Sequence, residues 1–164
     1  MDTGMYTLIL AKEDFKFSAG HFTLFGPEEA ELMHGHNYQV GVELVGPNLD
    51  DDGLLASFVE VKGVIRELCE RLDTQTLVPD RSPYLDIRRD GGQIEIRYRD
   101  KVYQLPEEDV LLLPAVNTSI EVLAHLLWKD MVERLDLSHL QSLGVEVSET
   151  AGQSCWFRAP IPRP

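Results

Sequence analysis

The segment from Asn37 to Val45 restricts the fold most, because Tyr38, Val40, Val42 and Leu44 occupy every second position. A period of two marks a strand with one face on a core. A looser alternation through Tyr6, Leu8, Leu10, Phe15 and Phe17 predicts one partner strand from Tyr6 to Phe17. The intervening FTLFGPEEAELM carries Gly26-Pro27 and three glutamates and reads as a loop, and GPNLDDDG (46–53) reads as a turn. Phe58, Val61, Ile65, Leu68 and Leu72 recur at helical spacing behind a candidate Ser57 cap, predicting a helix that ends near Asp73. After the polar stretch 74–92, QIEIRYRDKVYQLP predicts a hairpin turning at Arg99-Asp100-Lys101. Thr118 and Glu121 form a T-x-x-E capping box ahead of Leu123, Leu127, Trp128, Met131 and Leu135, the apolar face of a second helix. VEVSET (145–150) and SCWFRA (154–159) close the chain as two strands about Ala151-Gly152. The expected fold is α+β: a four-stranded antiparallel sheet with two helices on one face, plus the hairpin, in a single domain over 1–164.

Fifteen basic against 28 acidic side chains leave a formal charge of −13, which repels nucleic acid and anionic membranes. Neither is an expected partner. No apolar run approaches the roughly 20 residues of a membrane helix, and MDTGMYTLILAKEDF does not read as a secretory signal. A cytoplasmic protein is expected. Cys69 and Cys155 are too few for a disulfide framework and are read as packing residues.

Three of the five histidines, His21, His34 and His36, fall within sixteen residues. Side chains at i and i+2 of a strand share a face, so His34 and His36 can present both imidazoles to one ion, and His21 can close the set from a neighbouring strand. Three histidines without an obvious fourth protein ligand describe a catalytic zinc with an open position. The competing reading of H-x-H is a polar surface pair. Glu31 precedes His34 by three residues; beside a metal-held substrate it is a natural general base, and otherwise it is a solvated loop glutamate.

FSAGH (17–21), HGHNY (34–38), DGLLASFVEVKGVIRELCERLD (52–73), NTSIEVLAHLLW (117–128) and VEVSET (145–150) together closely resemble the 6-pyruvoyl-tetrahydropterin synthase and 6-carboxytetrahydropterin synthase family. Only 76–114, with its hairpin, looks like an addition. The resemblance implies a tunnelling fold, in which sheets of several subunits join into a barrel, trimers stack as hexamers, and active sites lie between subunits. It implies zinc on His21, His34 and His36, substrate contacts from Thr118 and Ser119, and a pterin-gripping carboxylate at Glu149. A carboxylate suits that task because it accepts a bidentate pair from the 2-amino and ring N–H groups of a pterin. The family's synthases carry a cysteine four residues before HGH, where this chain has Ala30, and an Asp-His relay after the first helix, where it has Asp73-Thr74. Asp73 thus keeps the acidic half of the relay.

A subgroup with glutamate three residues before HGH, as Glu31 stands here, resembles the chain more closely. Its implied reaction cleaves the side chain of 7,8-dihydroneopterin triphosphate to give 6-hydroxymethyl-7,8-dihydropterin for folate synthesis. Two alternatives stay open: 6-carboxy- or 6-pyruvoyl-tetrahydropterin synthesis with a modified relay, and a non-catalytic pterin-binding paralogue. Lys16, Lys62 and Arg66 are the candidate cations for a triphosphate.

Overall fold

The computed structural model describes residues 4–163. The stretch expected as one strand from Tyr6 to Phe17 is two, β1 (Tyr6–Leu10) and β2 (Lys16–His21). Lys12, Glu13 and Asp14 are three consecutive charges that cannot continue into a core, so the chain turns there, with the Phe15 amide donating to the Lys12 carbonyl at 3.0 Å. Both strands then pair with the same long strand, β3 (His34–Gly46): β2 with its first half and β1 with its second. The Val40 amide bridges the gap by donating to the Phe15 carbonyl at 2.8 Å.

Helix α1 (Phe58–Leu72) starts where expected, with the Ser57 hydroxyl accepting from the Glu60 amide at 3.4 Å, and buries Val61, Ile65, Leu68, Cys69 and Leu72. Helix α2 (Ile120–Arg134) buries Leu123, Ala124, Leu127, Trp128 and Met131. The predicted capping box is replaced there. Ser119 occupies the cap position, because the Thr118 hydroxyl instead donates to the Phe22 carbonyl at 3.1 Å. The chain ends with β9 (Ser142–Thr150) and β10 (Gln153–Pro160), antiparallel about the expected turn.

The α+β reading stands, and both helices share one core with the inward residues Phe17, Ala19, Tyr38, Val40, Val42, Leu44, Val145 and Val147. Each Phe, Val or Leu side chain buried there contributes about 1.5–3 kcal/mol by area. The sheet is larger than four antiparallel strands. Two short strands, β4 (Gln75–Pro79) and β8 (Val110–Leu113), extend it in the order β10-β9-β3-β2-β4-β8, and both added pairings are parallel. Cys69 packs in the core, where burial pushes its thiol up to about 12.

Between β4 and β8 the expected hairpin is present as β6 (Gln93–Tyr98) and β7 (Lys101–Pro106), and β5 (Asp86–Asp90) makes it a separate three-stranded sheet. Ile94, Ile96 and Tyr98 form a second core with Phe22, Leu24, Val78 and Val110, packed against Ala30 and Met33 of the loop between β2 and β3. Arg99, at the tip of this hairpin, has φ of 57°. That left-handed region costs an L-residue about 1–2 kcal/mol.

Candidate metal centre

Pairing of β2 with β3 sets His21 opposite His34 and Ala19 opposite His36, which gathers three imidazoles on the helix-facing side of the sheet. One ring nitrogen from each lies within 4.8 Å of the others. His21 is 2% exposed. Its Nδ1–H donates to the Thr118 carbonyl at 3.1 Å, so Nε2 carries the lone pair, and Nε2 is buried with no hydrogen-bond partner among the described residues. The His34 Nδ1–H likewise donates to the Leu32 carbonyl at 2.7 Å, turning its Nε2 toward His36 Nε2 at 2.9 Å. A carbonyl can only accept, which fixes these tautomers. Burial foremost, then the neighbouring His34, holds the His21 pKa below the ordinary histidine value, so the imidazole stays neutral. Three clustered imidazoles, two of them oriented by carbonyls through Nδ1, with the orphaned His21 Nε2 among them, fit a zinc ion.

Two carboxylates flank the histidines. Glu31 Oε2 is 3.9 Å from His34 Nε2, and Glu149 Oε2 is 3.8 Å from His36 Nε2. Burial works to raise the Glu31 pKa, but the Thr23 amide, donating to Oε2 at 3.0 Å, and the nearby histidines together hold it below the usual carboxylate value. Glu31 and Glu149 both line a cleft of about 560 Å³ that also takes in Phe25, Asn117 and Ser119. That volume is ordinary for a small-molecule site.

Other expected residues fall elsewhere. Thr118 is fully buried, behind His21 rather than in the cleft, and Ser119 is the member of the pair that lines it. Asp73 follows α1 and its carboxylate accepts the Ser18 amide at 2.7 Å; it does not line the cleft. Nor do Lys16, Lys62 or Arg66 line it; Arg66 is paired with Asp14 at 2.7 Å and Lys62 lies over the Phe58 ring. The sequence reading passed over Asn117 and Tyr38. The Asn117 amide accepts from the Leu24 N–H at 3.1 Å and donates to the Leu24 carbonyl at 2.9 Å, acting as a one-residue strand partner for the loop. Tyr38 stacks on Phe17, sets its edge to His21 and His36, and has a buried hydroxyl without a partner among the described residues. Its signal was its position two residues beyond His36 on the strand.

A protein-family model described as 6-pyruvoyl tetrahydropterin synthase matches residues 10–160. The chain belongs to that family. A Methanocaldococcus jannaschii protein provisionally named 6-carboxy-5,6,7,8-tetrahydropterin synthase is 30% identical over 146 residues, covering 87% of this chain and 89% of that one. The crystal structure of 6-pyruvoyl tetrahydropterin synthase from Plasmodium vivax superposes with a TM-score of 0.91 at 27% identity, covering 96% of this chain and 99% of that one. A second structure of the P. vivax enzyme, described as a catalytic-residue mutant with a glutamate changed to alanine, matches with the same TM-score, identity and coverage. The 6-pyruvoyl tetrahydropterin synthase family comprises pterin-processing enzymes, and this member has the tunnelling-fold subunit with three histidines positioned to bind a metal ion. Among the described residues no helix is long and apolar enough to cross a membrane.

Proposed function

We propose that this family member is a cytoplasmic, zinc-dependent lyase that converts 7,8-dihydroneopterin triphosphate to 6-hydroxymethyl-7,8-dihydropterin. The observation that carries this reading is the Glu31 carboxylate, ionised, 3.9 Å from His34 and facing the same cleft as Glu149. His21, His34 and His36 would hold the zinc, which when bound supplies Lewis-acid polarisation of a side-chain hydroxyl. Glu149 grips the 2-amino and ring N–H edge of the pterin, and Ser119 adds a polar contact. Glu31 accepts the proton of the 2′-hydroxyl. The C1′–C2′ bond then breaks: its electron pair moves through C1′ and C6 onto N5, and C2′ leaves as an aldehyde bearing the triphosphate. Proton return to C1′ gives the hydroxymethyl product and balances the reaction. The catalytic glutamate named for the P. vivax protein supports a glutamate in this role.

Asp73 does not line the cleft of its own protomer, which suits active sites shared between subunits of a hexamer, each Asp73 serving a neighbouring site. Light scattering of the purified protein measures that assembly.

The provisional name of the M. jannaschii relative favours a second reading, a 6-carboxy product formed with Asp73 in place of the cysteine-centred relay. Incubating the zinc-loaded protein with dihydroneopterin triphosphate, with product masses read after chromatography, separates the two. Formation of 6-hydroxymethyl-dihydropterin, lost in His34→Ala and reduced about 100-fold or more in Glu31→Gln, is the expected result. A carboxy or pyruvoyl product that survives Glu31→Gln transfers the assignment to the second reading, and bound pterin without any product leaves the non-catalytic paralogue.

A further inference from the structure

The loop that bears Glu31 is not irregular. Phe25 N–H donates to the Glu29 carbonyl at 2.9 Å, Leu24 bridges Ala30, and Glu31 N–H donates to the Thr23 carbonyl at 2.9 Å. Residues 23–31 therefore form a miniature hairpin with Glu31 at its base and Gly26 to Glu28 at its tip. Asn117 grips the base. The tip is held by the added sheet: the Tyr98 hydroxyl donates to the Gly26 carbonyl at 3.0 Å, and Arg99 donates to the Glu28 carbonyl at 2.7 Å while pairing with its carboxylate at 3.0 Å. Beneath these contacts Ile94, Ile96 and Tyr98 pack on Phe22, Leu24, Ala30 and Met33. Arg99 keeps its left-handed backbone at a position where glycine or asparagine would sit without strain, and its guanidinium is what reaches the loop.

We infer that the sheet β5-β6-β7 is a strut for the catalytic loop, and that Tyr98 and Arg99 are positioning residues that fix the Glu31 carboxylate against the histidines. The exposed Arg99–Glu28 ion pair adds little energy by itself; its effect is directional, since both contacts restrain the hairpin tip and the hairpin ladder carries that restraint to Glu31. The catalytic consequence rests on the role of Glu31 proposed above, whereas the mechanical one does not.

Hydrogen exchange at the Phe25 and Glu31 amides, together with steady-state kinetics, tests both in Tyr98→Phe and Arg99→Gly. Tyr98→Phe removes only the hydroxyl. Arg99→Gly removes both contacts while relieving the backbone, so its thermal midpoint should not fall. Exchange at the two amides should rise about tenfold with β3 and β9 unchanged, and kcat should fall about tenfold with KM held within about twofold. Arg99→Lys, which retains a donor for the Glu28 carbonyl, should recover part of the loss. Unchanged exchange overturns the strut. Raised exchange with undiminished kcat, where Glu31→Gln abolishes turnover, overturns the positioning role. If Glu31→Gln turns over like the parent enzyme, the reading of Glu31 fails and the exchange result alone decides the strut.

Discussion

Replacing Asn117 with alanine tests whether one side chain holds the Glu31-bearing loop to the start of the second helix. The Asn117 amide satisfies both backbone groups of Leu24, a residue 6% exposed, and also accepts from the Thr118 N–H at 3.0 Å. Truncation strands three polar groups. A buried group left unpaired costs about 1–3 kcal/mol, and water entering from the adjoining cleft can serve some of them, so the net loss should be about 3 kcal/mol. For a chain of 164 residues this lowers the thermal midpoint by roughly 6–12 °C. The assay is thermal unfolding at fixed protomer and zinc concentrations, since assembly and metal both shift the apparent midpoint. A loss below about 1 kcal/mol would refute the reasoning, because it would mean that the loop finds its partners without Asn117.

Four further outcomes follow from the same geometry. Metal-free protein should lose stability as pH falls through about 6.5: the folded His21 pKa lies below its unfolded value, so the unfolded chain binds more protons in that window. Thermal midpoints between about pH 7.5 and 5.5 check the sign, and a His21→Gln variant should flatten the slope. Elemental analysis should find about one zinc per chain in the parent protein and little in His36→Ala. Tyr38→Phe deletes a buried hydroxyl that lacks a partner among the described residues and should be neutral or stabilising by about 1 kcal/mol in denaturant titration; a clear loss would show that the hydroxyl is bonded in solution. Thr74, β-branched at φ of 61°, should give way to asparagine with a gain of about 1 kcal/mol in the same titration, because asparagine tolerates that backbone.

Local patterns carried what was legible in the sequence. The helix behind Ser57, the hairpin at Arg99-Asp100 and the facing of His34 and His36 each depend on residues a few positions apart, and each is present. Strands β4 and β8 escaped because they are short and parallel, and so lack the alternation that betrays a half-exposed antiparallel strand. Thr118 was misread as a cap because its true partner, the Phe22 carbonyl, lies 96 residues away. A separation of 93 residues from Leu24 likewise hid Asn117. Glu149 was located by resemblance alone; its 3.8 Å approach to His36 depends on β9 lying beside β3, a long-range pairing that no local signal announces.

The register of β2 against β3, pinned where Phe17 meets Tyr38 and His21 meets His34, has an evolutionary corollary. All three imidazoles are inherited with one antiparallel ladder, whereas Glu31, the proposed acid–base group, rides on the connection between its two strands. Substitutions and length changes in that connection leave the ladder intact. Ion affinity and reaction chemistry are therefore separately mutable on this reading, and a lineage can exchange the proposed reagent within the loop, while the three histidines pass unchanged from ancestor to descendant.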